Sequence, residues 1–101
     1  MNDPKLQEIV RRIVEAVHPT RIYLFGSRAR GDAREDSDYD ILVIYDGPLD
    51  KREVKIVARH SLPVDTSFDI FALSSYEMDR YRHVATTLQR EVSENGVLVY
   101  G

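Results

Sequence analysis

Leu24-Phe25-Gly26-Ser27-Arg28-Ala29-Arg30-Gly31-Asp32-Ala33-Arg34-Glu35-Asp36-Ser37-Asp38-Tyr39-Asp40-Ile41-Leu42-Val43-Ile44 reads as the end of one strand, a Gly-Ser turn, a short polar helix or loop, and a second strand opening on Asp38-Tyr39-Asp40. Gly26 lets the backbone approach a phosphate closely, and Ser27 offers an amide and a hydroxyl where a helix N-terminus is expected. Side chains alternate along a strand, so Asp38 and Asp40 point the same way, ~6–7 Å apart. Carboxylates so placed repel unless a cation lies between them, and they suit a pair of Mg²⁺ ions about 3.5–4 Å apart. The stretch implies a site for a metal-bound nucleotide.

Two better-known motifs begin in a similar way and then fail. Gly26 to Gly31 has the G-x-x-x-x-G spacing of a P-loop, but Asp32-Ala33 follows where Lys-Ser or Lys-Thr is needed, so an acid stands where phosphates require a cation. Asp36, Asp38 and Asp40 start like a calcium loop, yet its sixth and twelfth positions, glycine and glutamate in an EF-hand, are Ile41 and Gly47. There is no G-x-G-x-x-G for a dinucleotide fold.

Around this stretch the pattern predicts a small α/β (α+β) domain. Leu6, Ile9, Val10, Ile13, Val14 and Val17 form one stripe of an amphipathic helix from Pro4 to Val17, with Asp3 as N-cap and His18-Pro19 as its end. Arg21 to Phe25 and Tyr39 to Tyr45 read as strands, the second placing Tyr39 and Tyr45 on the face opposite the acids. A helix is expected from Asp50 to Leu62 and a strand from Thr66 to Leu73. One long helical region then runs from Ser74 or Ser75 to about Ser93, with Met78, Tyr81, Val84, Ala85, Leu88 and Val92 inward, and Val97 to Tyr100 adds a last strand. The order α-β-β-α-β-α-β implies a small mixed β-sheet with helices packed mainly on one face.

At 101 residues the chain is expected to form a single domain, residues 1–101. Its 14 basic and 17 acidic residues give a net charge of −3, so no overall positive field draws it to nucleic acid. Without cysteine, disulfides and thiolate chemistry are excluded, and His18, His60 and His83 are too scattered for a metal-ligand motif. The polar N-terminus and the lack of any apolar run near ~20 residues lead to the expectation of a cytoplasmic protein with no membrane partner.

Gly26-Ser27, ten intervening residues and Asp38-x-Asp40 before an apolar run resemble the nucleotidyltransferase superfamily with the polymerase-β-like palm. The fuller string Gly-Ser-Arg-Ala-Arg-Gly … Ser-Asp-Tyr-Asp-Ile-Leu-Val is similar to its minimal members, the MNT proteins. The resemblance covers nearly the whole chain. It implies a nucleotidyltransferase that carries AMP from ATP to a hydroxyl, with two Mg²⁺ ions as cofactor. It implies Asp38 and Asp40 as metal ligands, and Gly26-Ser27 as the holder of the β- and γ-phosphates. A third carboxylate, on the strand after the intervening helix, would complete the metal site and accept the acceptor's proton. Asp65 and Asp69 are both eligible. Asp69 is preferred, because an unpaired charge within Phe68-Asp69-Ile70-Phe71 is costly and a capped helix follows. Arg28 and Arg30 could contact the triphosphate, neutralise the acids or brace the loop.

The chain is too small to hold a large acceptor, so the resemblance further implies a partner that brings one. In this family that partner is a HEPN-domain toxin, adenylylated on a tyrosine by an MNT antitoxin. Two alternatives remain open: an antitoxin that only occludes its toxin, and a small-molecule adenylyltransferase completed by homo-oligomerisation.

Overall fold

The computed structural model describes residues 3–101. Helix α1 (Pro4–Val17) begins as expected: the Asp3 carboxylate accepts hydrogen bonds from the Lys5 and Leu6 amides, and proline occupies the first turn. It ends at His18, which takes a left-handed conformation ahead of Pro19. Strand β1 (Arg21–Phe25), the single-turn helix α2 (Ser27–Arg30) and strand β2 (Tyr39–Tyr45) follow. Helix α3 (Lys51–Ser61), started by a capping box of Asp50 and Glu53, leads to strand β3 (Phe68–Ser74). Helices α4 (Ser75–Tyr81) and α5 (Leu88–Asn95) precede strand β4 (Val97–Tyr100).

The four strands form one mixed sheet in the order β3-β2-β1-β4. β1 is antiparallel to both β2 and β4, whereas β2 and β3 are parallel and joined by the α3 crossover that such a pairing requires. Strand parity divides the core in two. Ile22, Leu24, Tyr39, Ile41, Val43, Ile70 and Ala72 are buried against Leu6, Ile9 and Ile13 of α1 and Val54 and Ala58 of α3. Phe25, Leu42, Ile44 and Leu73 face the other way, where Met78 of α4 and Val92 of α5 cover them. The two longer helices therefore share one face, and the two short ones cover part of the opposite face.

The expected continuous helix to Ser93 is interrupted, which corrects the sequence reading. Thr86 adopts φ 70°, a left-handed conformation that a β-branched residue rarely holds. The Thr87 hydroxyl donates to the Val84 and Tyr81 carbonyls and accepts from the Arg90 amide, so it caps a new helix. Met78 and Val92 are buried as expected, but Tyr81, Val84 and Ala85 lie exposed at the break. Among the described residues no helix is long and apolar enough to cross a membrane.

Candidate functional site

Three strands deliver the site. Phe25 of β1 pairs with Asp40 of β2, and Asp40 pairs with Asp69 of β3. Register partners point the same way, so the Asp40 and Asp69 carboxylates stand side by side on strands about 4.8 Å apart, on the face away from α1 and α3. Asp38 lies one pleat further along, exposed, and accepts a hydrogen bond from the Ser67 hydroxyl. Burial, then the charges of Asp69 and Asp38, push the Asp40 carboxyl above the usual carboxylate range, while Arg30 pulls it the other way.

The turn after β1 is fitted to that acid. Gly26 has φ 74° and ψ −155°, a region essentially confined to glycine. A Cβ added there would lie 2.1 Å from Asp40 Oδ2. Glycine thus brings the backbone of the turn directly against the carboxylate. Ser27 is the first residue of α2, and Gly31 closes that helix in a left-handed conformation with its amide on the Ser27 carbonyl.

The two arginines part company. The Arg28 guanidinium donates to the Ser37 carbonyl through Nε and Nη2 (3.0 and 2.7 Å) and to the Glu35 carbonyl (3.0 Å), and it lies 4.0 Å above the Tyr39 ring. The Tyr39 hydroxyl donates in turn to Asp3 at 2.9 Å. Arg28 therefore braces the loop that leads into Asp38 and Asp40. Arg30 is exposed, with Nε 3.3 Å from Asp32, and its charge reaches Asp40. Among the described residues neither arginine forms an ion pair with Asp69.

The structure brings Gly26, Asp38, Asp40 and Asp69 together and sets Asp65 apart, in the turn before β3. The physical ground for preferring Asp69 changes: it is exposed, so no burial cost singles it out, and its register with Asp40 does. The sequence reading missed the hydrogen bond from Ser67, two residues before Asp69 and so of the same strand parity. It also missed the Asp3–Tyr39–Arg28 brace, for which nothing in the sequence joins residue 3 to residue 39.

Three aspartates offer hard oxygen donors of the type that Mg²⁺ prefers. Among the described residues no three acidic or histidine side chains already close around a point as a metal cage. The acids form an open row instead. That suits an ion held by one or two carboxylates and completed by substrate phosphates, and the Gly26 turn lies against the Asp40 end of the row.

Among solved structures, a candidate nucleotidyltransferase from Sulfolobus solfataricus is 26% identical, with a TM-score of 0.65, over 93% of this chain and 75% of its own. A chain of a toxin–antitoxin complex determined with AMP-PNP is 25% identical over all of this chain and 74% of its own, with a TM-score of 0.59. A chain of the MntA–HpeT toxin–antitoxin, in a Y104A variant, is 26% identical over 100% and 73%, with a TM-score of 0.56. No curated protein matches the chain. Residues 4–94, from the start of α1 almost to the end of α5 and including the whole acid row, match the nucleotidyltransferase domain family. The chain belongs to that family and is a nucleotidyltransferase.

Proposed function

We propose that the chain, acting as a single domain, is the antitoxin of a toxin–antitoxin pair and transfers AMP from ATP to a tyrosine hydroxyl of a HEPN-domain toxin. The observation that carries this reading is the register of Asp40 with Asp69 beside the Gly26 turn. The likeness to a toxin–antitoxin chain determined with an ATP analogue supports the choice of nucleotide and partner.

Asp38, Asp40 and Asp69 would hold Mg²⁺, two ions by family resemblance, which when bound neutralise charge on the phosphoryl oxygens. Gly26 and Ser27 hold the β- and γ-phosphates, and Arg30 adds a cation at the rim while Arg28 keeps the loop in place. Asp69 takes the proton of the acceptor hydroxyl. The acceptor oxygen forms its bond to the α-phosphorus as the bond from that phosphorus to the β-phosphate bridging oxygen breaks, and pyrophosphate leaves. No covalent enzyme intermediate is required, so the rate rests on positioning and charge stabilisation.

The test is incubation with Mg²⁺ and ATP labelled at the α-phosphate, with and without the protein encoded beside this one. Label should pass to the neighbour and fall by on the order of 10²–10³-fold for Asp38→Ala/Asp40→Ala. A neighbour that is neutralised but unlabelled would defeat the transfer reading and leave an occluding antitoxin.

A further inference from the structure

Immediately beyond the acids the same face turns aromatic. Phe71 lies two residues after Asp69 on β3, in register with Leu42, and therefore points to the side of Asp40 and Asp69. It is 38% exposed, unlike its neighbours on that face: Phe25, Leu42, Leu73 and Met78 are all buried in one cluster. Its ring meets the Phe25 ring edge-on, with centroids 5.4 Å apart and planes at 61°. Phe71 is thus anchored along one side and partly bare.

The order of strands gives this surface a direction. The Gly26-Ser27 turn follows β1, Asp38 and Asp40 belong to the opening of β2, and Asp69 lies on β3, beyond β2 from the turn. A triphosphate reaching from the turn to the β2 acids leaves its pyrophosphate on the β1 side. An attacking oxygen must arrive roughly opposite the leaving one, so it enters from the β3 side, over Asp69. Phe71 is the first exposed apolar side chain on that strand beyond Asp69.

We propose that Phe71 is the residue that reads the acceptor: its exposed ring packs against the ring that carries the attacking hydroxyl, selecting phenolic over aliphatic alcohols. This rests on the transfer reaction proposed above and adds the side chain that chooses its acceptor. Phe71 is a positioning residue and touches neither phosphate nor proton.

Two measurements on the full chain test it. p-Cresol, titrated while backbone amides are followed by NMR, should shift Ile70, Phe71 and Ala72 and the Phe25 ring. Cyclohexylmethanol should shift them less, Phe71→Leu should abolish the effect and Phe71→Tyr should keep it. With the neighbouring protein as acceptor, Phe71→Leu should raise the acceptor KM about tenfold, leave the KM for ATP unchanged, and be rescued by Phe71→Tyr. Cresol shifts elsewhere or absent would overturn the proposal, as would an unchanged acceptor KM. A rise in the KM for ATP alone would overturn it in favour of a nucleobase platform. A wild type that transfers label while Phe71→Leu is indistinguishable from it removes the acceptor role and leaves the transfer reaction standing. Cresol binding at Phe71 without any label transfer does the reverse, supporting the aromatic shelf.

Discussion

Ile41 and Leu42 are neighbours on β2, both fully buried, yet they serve opposite sides of the molecule. Ile41 lies in the core beneath α1 and α3, in a face sealed from Tyr39 to Val43. Leu42 belongs to the other cluster, on a face closed by Met78 and Val92 but open where Asp40, Asp69 and Phe71 emerge. The difference comes from helix length. α1 has 14 residues and spans about 21 Å, comparable to the ~23 Å of a seven-residue strand, whereas α4 has seven and spans about 10 Å. α4 also begins directly after Ser74, at the end of β3 remote from Asp69. A short second layer leaves part of a sheet uncovered, and the chemistry sits on that part.

The comparison can be broken most severely at its centre. Ile41→Ala and Leu42→Ala should each cost about 2–5 kcal/mol, since both remove fully buried side chains from well-filled surroundings. Chemical denaturation would measure this. The folded Ile41→Ala protein should retain its transfer rate, whereas Leu42→Ala should lose activity beyond its loss of stability, because Leu42 lies beside Phe71 in the sheet. Equal catalytic effects would mean that the faces do not divide the labour as described.

Gly26→Ala comes next. The substitution puts a side chain into a conformation that costs about 1–3 kcal/mol, and it forces the Asp40 carboxylate away from a Cβ that would otherwise lie at 2.1 Å. Because misplacement of a reacting group by about 1 Å can cost on the order of 10²-fold, label transfer should fall by about that much. Thermal melting should show only the smaller stability loss. A variant with normal transfer would show that Asp40 need not stand against the turn.

The local geometry of residues 24–44 was legible because each device there is local: a glycine turn, a short polar helix, and carboxylates two apart at the mouth of a strand. The amphipathic stripe of α1 and the four strands were legible for the same reason, as repeating patterns. The break between α4 and α5 was not, because Met78, Val84, Leu88 and Val92 keep a helical period across it. α4 stops at Tyr81, and the left-handed conformation of Thr86 with the capping by Thr87 starts α5 as a separate helix; two threonines are weak signals amid that stripe. Asp69 illustrates a third case. The sequence preference for Asp69 rested on burial, whereas Asp69 is exposed and the pairing of β2 with β3, a long-range fact, is what stands it beside Asp40.

A smaller effect is expected at Ser74, where the exposed acid-bearing strand becomes the covering helix. Its hydroxyl accepts from the Glu77 amide and the Glu77 carboxylate accepts from the Ser74 amide, completing a capping box. Ser74→Ala should cost about 1 kcal/mol, read by urea denaturation. Ser74→Asp should restore most of it, because aspartate caps equally well. If alanine costs nothing, α4 is held by Met78 packing alone.

The smallest effect probes whether the two faces communicate. Asp3 starts α1 on the sealed side and accepts the Tyr39 hydroxyl, and Tyr39 lies under Arg28, which holds the loop into the acids. Partial burial opposes ionisation of Asp3, but hydrogen bonds from the Leu6 amide, the Tyr39 hydroxyl and the Lys5 amide outweigh it and hold the carboxyl below its ordinary range. A folded-state pKa that is depressed stabilises above the unfolded value and loses that contribution as pH falls through the folded one. Asp3→Asn keeps a capping oxygen but no charge, so its stability deficit should be present at about pH 7 and fade as pH falls below the ordinary carboxylate range, by urea midpoints. Transfer at neutral pH should stay as in the wild type, because the bonds from Arg28 to Glu35 and Ser37 do not depend on Asp3. A parallel fall in transfer would mean that Tyr39 carries strain from the sealed face into the loop, and the separation between the faces would have to be given up.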